Sequence, residues 1–112
     1  MLLPSLWECG GAVVLEAMAI GRPVIATRWG GVADYLNDEC GILVDPTSRE
    51  SMIDGFAEAM LALSESPRRR RQMGEAGRRR VVEQFDWELK IDRILELYRQ
   101  VTPTPEPMSD RP

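Results

Sequence analysis

The chain has 112 residues, a hydrophobic fraction of 44%, a charged fraction of 29% and a formal net charge of −4. This length supports one domain, and the ordinary composition indicates neither a disordered nor a membrane protein. The acidic balance argues against a surface built for nucleic acid, so no nucleic-acid partner is expected. Because the chain has no histidine and only two cysteines, Cys-His and Ser-His catalysis is excluded and no metal site is expected.

Short apolar runs alternate with glycine turns before Pro46. The predicted elements are, in order, the end of a strand at Leu2 to Leu6, a helix from Gly11 to Ile20 closed by Gly21, a strand from Pro23 to Thr27, a short helix from Val32 to Leu36, and a strand from Gly41 to Asp45. Apolar strands that alternate with helices predict an α/β fold with a short parallel sheet of about three strands.

Amphipathic helical patterns follow Pro46. Thr47 and Glu50 fit a capping box that opens the first of these helices. Pro67 favours the first turn of a second helix, and Asp86 is a suitable cap for a third. The third helix has an apolar stripe, which is interpreted as a packing face. The segment from 102 to 112, TPTPEPMSDRP, is predicted to be a disordered Pro-rich tail.

The segment from Glu8 to Glu16, ECGGAVVLE, places two acids around a glycine turn. It follows the first predicted strand, at the edge where open α/β sheets bind ligands. Free amides and the dipole of the next helix favour an anion there, and glycines let the backbone approach a phosphate closely. Carboxylates repel phosphate but accept hydrogen bonds from hydroxyls, so a nucleotide sugar fits this pattern. The structural alternative is a solvated surface acid at Glu16.

The stretch ECGGAVVLEAMAIGRPVIATRWGGVADYLNDECGILVDP resembles the C-terminal donor-binding domain of family-four retaining glycosyltransferases, which have the GT-B fold. Two acids with seven residues between them, EAMA, PVIAT, a Gly-Gly turn and GILV stand in the order of that family. The later GEAGRRRVVEQFDWE is similar to its C-terminal helices. The resemblance implies that residues 1–101 form a partial Rossmann-like nucleotide-sugar-binding domain, flanked by helices and followed by C-terminal helices.

The resemblance also assigns roles to the residues of the motif. Glu16 would bind the ribose hydroxyls of the nucleotide. Glu8 would contact hydroxyls of the donor sugar and orient it for transfer, and it is the catalytic residue that the motif implies. The turn and the helix start would contact the rest of the donor: Cys9, Gly10 and Gly11 against the sugar, and the amides of Ala12 and Val13 on the diphosphate.

The implied enzyme is a hexosyltransferase that uses a UDP- or GDP-linked sugar, without a metal or another cofactor, in polysaccharide, glycan or glycolipid synthesis. Its relatives have an N-terminal acceptor domain and an early Arg and Lys pair, so the isolated chain is expected to be inactive unless a separate chain supplies that domain. Their last helix crosses to the acceptor domain. The chain departs from the family pattern at Cys9-Gly10-Gly11, where many relatives have Gly-Phe-Gly, and at Ala33-Asp34, where they often have Pro-Glu.

Three alternatives stay open. The chain could be an inactive, truncated domain that associates with a second copy of itself or with another protein through its last helix. The clusters at Arg68 to Arg71 and Arg78 to Arg80 could bind an anionic surface, although a solvated face balanced by nearby acids explains them too. Cys9 could be a reactive thiol at a helix N-terminus, or a small residue in a tight turn.

The start of the chain lacks the basic region of a signal peptide, so the expected location is cytoplasmic, with a peripheral contact at the inner face of the membrane as an option.

Overall fold

The computed structural model describes residues 1–101, and the predicted disordered tail lies outside the described residues. The elements in chain order are strand β1 (Leu2–Leu3), helix α1 (Ala12–Ala19), strand β2 (Val24–Thr27), helix α2 (Val32–Tyr35), strand β3 (Gly41–Val44), helix α3 (Arg49–Ser64), helix α4 (Pro67–Arg80), a π-helical segment (Val81–Phe85) and helix α5 (Trp87–Val101).

The three strands form one parallel sheet in the order β1-β2-β3. Leu2 lies opposite Ile25, and Ile25 lies opposite Ile42 on the other side. All four residues of β2 are buried, which fits a central strand covered on both faces. The predicted α/β class and the three-stranded parallel sheet are therefore confirmed.

Side-chain alternation along β2 divides the core into two clusters, one on each face of the sheet. Val24 and Ala26 belong to the cluster that includes α1, whose Val14 and Met18 are fully buried. Ile25 belongs to the cluster with Phe56 on α3. The sheet thus holds α1 on one face, and the position of α1 decides where its N-terminus opens to solvent.

Several predicted helix ends are confirmed and one is wrong. Gly21 follows α1 with φ 70°, the left-handed conformation that glycine adopts readily, and its N–H donates to the carbonyl of Met18. Ser66 caps α4 ahead of Pro67. The predicted cap at Thr47 is wrong, because the Ser48 hydroxyl accepts the amide hydrogen bond of Ser51 at 3.0 Å and α3 begins one residue later.

The first strand is shorter than predicted. Only Leu2–Leu3 pair with β2, and Pro4, which lacks an amide hydrogen, follows directly. β1 is an edge strand of the described sheet, and Leu2 is 47% exposed. Beside this edge lies an apolar groove of about 570 Å³ between β1 and α3. Its walls include Leu2, Pro4, Leu6, Met52, Ile53 and Phe56.

Helix α5 does not pack on the rest of the described chain along its length. It has no buried residue, and the molecule extends 79 Å along its longest axis against 31 and 17 Å on the others. The apolar stripe, interpreted as the packing face of a helix that in relatives crosses to the acceptor domain, is therefore not covered within the described residues. Asp86 caps this helix as predicted, since its carboxylate accepts a hydrogen bond from the Glu88 amide at 2.9 Å.

Within residues 1–101, no helix combines the length and apolar composition needed to cross a bilayer.

Candidate functional site

The loop from Glu8 to Gly11 carries the chain from β1 to the N-terminus of α1. Gly11 is the residue before the helix and has φ 55°, which glycine adopts without the clash that a Cβ would introduce. Ala12 and Val13 then occupy the first two helical positions, where amide groups have no acceptor within the helix. Both residues are exposed. The start of α1 therefore offers free N–H donors and the positive end of the helix dipole to solvent.

The Glu8 side chain stabilises this turn by a hydrogen bond within it. Its Oε1 accepts a hydrogen bond from the Gly11 N–H at 2.9 Å, and the side chain is half-buried. An ionised carboxylate has further acceptor positions, so Glu8 can accept a ligand hydroxyl while it keeps this bond. The carboxylate is thus fixed next to the helix start by a contact that depends on the shape of the turn.

Glu16 lies one turn further along α1, about 6 Å beyond Ala12 at 1.5 Å per residue. It is exposed and borders a groove of about 620 Å³ between α1, the π-helical segment and the start of α5. Aromatic and basic side chains line the same groove: Tyr35, Phe85, Trp87 and Lys90. The two motif acids therefore stand at different places, Glu8 in the turn and Glu16 on the open side of the helix.

A second glycine turn, Gly30–Gly31, lies against the first. A Cβ at Gly30 would be 2.3 Å from the carbonyl oxygen of Glu8, and a Cβ at Gly31 would be 3.0 Å from that of Cys9. The sequence pattern predicts each turn but not their contact, because nothing local relates two loops about twenty residues apart. The only sequence sign was the recurrence of a Gly-Gly pair after two successive strands.

Arg80 ties helix α2 to the end of α4. Its guanidinium donates to the carbonyl oxygens of Tyr35 at 2.8 Å and Asp34 at 3.2 Å. The Tyr35 ring packs edge-on against Phe85, with ring centroids 5.3 Å apart, and the Arg80 guanidinium lies over the same Phe85 ring. Sequence reasoning counted Arg80 only as part of a basic cluster, whereas it satisfies the carbonyls at the end of α2.

Arg70 has a similar structural role at the end of α3. Its guanidinium donates to the carbonyl oxygen of Ser64 at 2.7 Å and also to that of Leu63. Thus one arginine of each cluster donates hydrogen bonds to backbone carbonyls of a neighbouring helix. The remaining arginines of α4 are exposed and share that helix with Glu75, which fits the solvated-face interpretation better than a dedicated anion-binding surface.

An ion pair joins the ends of β2 and β3 at the same edge of the sheet as the motif. Arg28 Nε lies 2.7 Å from Asp45 Oδ1, with side chains 48% and 61% exposed, so solvent screens the pair.

Of the two cysteines, Cys9 is exposed and Cys40 is buried. Among residues 1–101, no three Cys, Asp or Glu side chains are placed to hold a metal ion together.

The sequence matches one protein family and many of its members. The profile of the family described as "Glycosyl transferases group 1" matches residues 1–80. Alpha-maltose-1-phosphate synthase of Mycolicibacterium smegmatis is 39% identical over 102 residues, which cover 88% of this chain and 26% of that protein. Sucrose synthase of Acidithiobacillus caldus is 34% identical over 97 residues, which cover 86% of this chain and 12% of that protein.

Solved structures match over the same part of the chain. Sucrose-phosphate synthase from Thermosynechococcus elongatus superposes with a TM-score of 0.77 at 37% identity, covering 89% of this chain and 24% of that one. Anabaena HepE in complex with UDP superposes with a TM-score of 0.78 at 22% identity, covering 89% of this chain and 27% of that one, a likeness of fold alone. The chain spans about a quarter or less of the length of these relatives.

These matches coincide with the elements described above. The family profile covers the sheet, both glycine turns and helices α1 to α4. The superpositions extend the agreement to almost all described residues. The predicted resemblance to GT-B glycosyltransferases is confirmed, and this chain belongs to the glycosyl transferases group 1 family.

Proposed function

We propose that this chain forms the donor-binding part of a retaining glycosyltransferase and holds a nucleotide-diphosphate sugar at the start of α1. The observation that carries the proposal is the exposed N-terminus of α1, with Glu8 fixed beside it by the Gly11 amide. The N–H groups of Ala12 and Val13 would bind the diphosphate, as helix N-termini bind phosphates. The turn at Cys9, Gly10 and Gly11 would face the sugar.

The two carboxylates would bind hydroxyls on opposite sides of the diphosphate. Glu16, on the open side of α1, is assigned to the ribose, and Glu8, in the turn, to the donor sugar. Carboxylates accept hydrogen bonds from hydroxyls and repel phosphate, so this division matches their chemistry. Glu8 would act catalytically by orienting the sugar, because positioning a reactant removes a large part of the entropic barrier.

The chemistry of the leaving group would depend on the same helix start. When the bond between the sugar and the diphosphate breaks, negative charge grows on the phosphate oxygen. Preorganised amide donors at that point stabilise the charge without reorganisation. With this charge stabilised by amide groups, we expect the transfer to need no metal ion.

The acceptor would be held by a separate region, either another part of the polypeptide or another chain. We infer that the isolated 112 residues do not turn over substrate, since transfer requires donor and acceptor to face each other in a closed cleft. We also propose that the protein acts in polysaccharide, glycan or glycolipid synthesis. Its proposed location is the cytoplasm, with a peripheral contact at the membrane. A UDP-linked sugar and a GDP-linked sugar are both candidate donors.

Calorimetric titration of this chain with UDP-glucose and with a GDP-sugar tests the proposal. We expect binding of one of them, weakened about 10- to 100-fold in Glu16→Ala, as the loss of hydrogen bonds to a charged acceptor gives. Glu58→Ala is the matched control, because Glu58 is an exposed acid on α3, on the other face of the sheet. Equal affinity in Glu16→Ala and Glu58→Ala would contradict the assignment of Glu16.

The exposed stripe of α5 favours a second candidate, association between two copies of the chain without catalysis. The large side chains of the stripe are between 44% and 78% exposed: Trp87, Ile91, Ile94, Leu95 and Tyr98. Contiguous apolar surface of this kind marks interaction sites. In sedimentation equilibrium we expect the wild-type chain to dimerise with rising concentration and Ile94→Glu to stay monomeric. A wild-type monomer at every concentration would exclude this candidate.

A further inference from the structure

The two glycine turns meet backbone to backbone, and at Gly30 they lie closer than a side chain allows. A Cβ at Gly30 would stand 2.3 Å from the Glu8 carbonyl oxygen, and one at Gly31 would stand 3.0 Å from the Cys9 carbonyl oxygen. Contacts below 3.0 Å require something to move, and here the obstacle is main chain rather than the flexible end of a side chain. A side chain at Gly30 would therefore displace the peptide that carries Glu8.

The second turn also limits the first turn from its other side. Val32, the first residue of α2, is 2% exposed. Its Cγ2 would be only 2.6 Å from a Cβ on Gly11. The Glu8 side chain limits the same position, because its Cγ would be 3.3 Å from a Cβ on Gly11. Glu8 and Gly11, the two partners of the bracing hydrogen bond, are thus both in contact with the segment that begins at Gly30.

This segment is held at both ends. Before it, β2 is hydrogen-bonded between two strands, and the Trp29 N–H donates to the carbonyl of Thr27 at 2.8 Å. After it, Arg80 holds the carbonyls at the end of α2. A displacement at Gly30 is therefore relieved mainly on the side of Glu8, whose loop is anchored by one side-chain hydrogen bond.

From these contacts we propose that Gly30 and Gly31 are positioning residues for Glu8. They would act through the Glu8 main chain, which they fix so that the Glu8 carboxylate stays on the Gly11 amide and beside the start of α1. The consequence for donor binding rests on the proposed function. The contact between the turns does not, and it can be tested without any ligand.

The experiment compares hydrogen exchange at the Gly11 amide, measured by NMR, in the wild-type chain and in Gly30→Ala. We expect exchange to rise about tenfold as the bond to Glu8 weakens, the change that the loss of one such hydrogen bond gives. The matched control is Gly74→Ala. A Cβ at Gly74 would lie 2.0 Å from the carbonyl oxygen of Gly21, a similarly close backbone contact that is remote from the motif turn, although Gly74 does not share the φ of 56° at Gly30.

Urea unfolding of both variants separates local from global effects. Both substitutions are expected to destabilise the fold, whereas only Gly30→Ala is expected to raise Gly11 exchange beyond the change in global stability. Gly31→Ala serves where Gly30→Ala does not fold. Gly31 has φ −60°, so its methyl group introduces no backbone strain and the contact with Cys9 is its one cost.

Donor titration of the same three variants completes the test. Weaker binding of the UDP- or GDP-sugar in Gly30→Ala and Gly31→Ala, with wild-type affinity in Gly74→Ala, is the expected result. If Gly11 exchange follows global stability equally in all three variants, the positioning role is excluded. If Gly11 exchange responds as expected but the wild-type chain binds neither nucleotide sugar, the positioning role stands and the proposed function fails.

Discussion

Replacing Gly11 with alanine is expected to lower the free energy of unfolding by about 2–5 kcal/mol and to remove donor binding. The backbone contributes first: Gly11 has φ 55°, and the left-handed conformation costs a residue with a Cβ about 1–2 kcal/mol. Packing contributes next, because the new methyl would lie 2.6 Å from Val32 Cγ2, and overpacking a buried site costs about 1–3 kcal/mol.

Gly10→Ala is the matched control for stability. Gly10 precedes Gly11 in the same turn, but a Cβ there would meet nothing within 4 Å, and its φ is not positive. We expect its free energy of unfolding, from urea denaturation followed by circular dichroism, to stay within about 1 kcal/mol of wild type. Equal losses in the two variants would show that the turn is not confined by Val32 and Glu8.

The turn at Gly11 shows how far local sequence determines this site. Adjacent glycines after an apolar strand and before a helix predict a tight turn with an exposed helix start, and the structure has both. The identity of the residue with positive φ, and the bond from its amide to Glu8, depend on how that turn closes in three dimensions. The proposed donor contacts of the motif residues stay predictions.

The contact between the two glycine turns could not be predicted from local pattern, because it arises from the pairing of β1 with β2. Parallel pairing places the loops that follow the two strands at one edge of the sheet. That pairing was expected from the α/β pattern, yet the register that brings Gly30 onto the Glu8 carbonyl was not. Two Gly-Gly pairs at equivalent points after paired strands were the available sign.

Helix α5 shows the opposite limit. Its apolar periodicity correctly predicted an amphipathic helix, but periodicity says only that a face is apolar, not what covers it. Asp86, the cap, lies in extended conformation between the π-helical segment and α5, so the helix leaves the domain instead of folding back. The stripe is therefore exposed in the described chain.

Met18 on α1 is the residue whose truncation is expected to reduce stability most. Its side chain is fully buried in the cluster between the sheet and α4, and its Cγ is 3.4 Å from the position of a Cβ on Gly77. Met18→Ala removes most of that side chain and leaves a cavity beneath the helix, which costs about 2–5 kcal/mol. The denaturant midpoint should fall in proportion, with an unchanged slope if the fold is retained.

Met60→Ala distinguishes burial from the chemistry of the substitution. Met60, on α3, is 41% exposed and borders the groove beside β1, so its truncation is expected to cost about 1 kcal/mol or less. Because Met18 lies six residues along α1 from the proposed diphosphate contacts, its loss should weaken donor binding only as far as α1 loosens. Equal destabilisation by the two variants would mean that α1 is not held by the cluster around Met18, and the helix start would then lack the rigid support that an anion site requires.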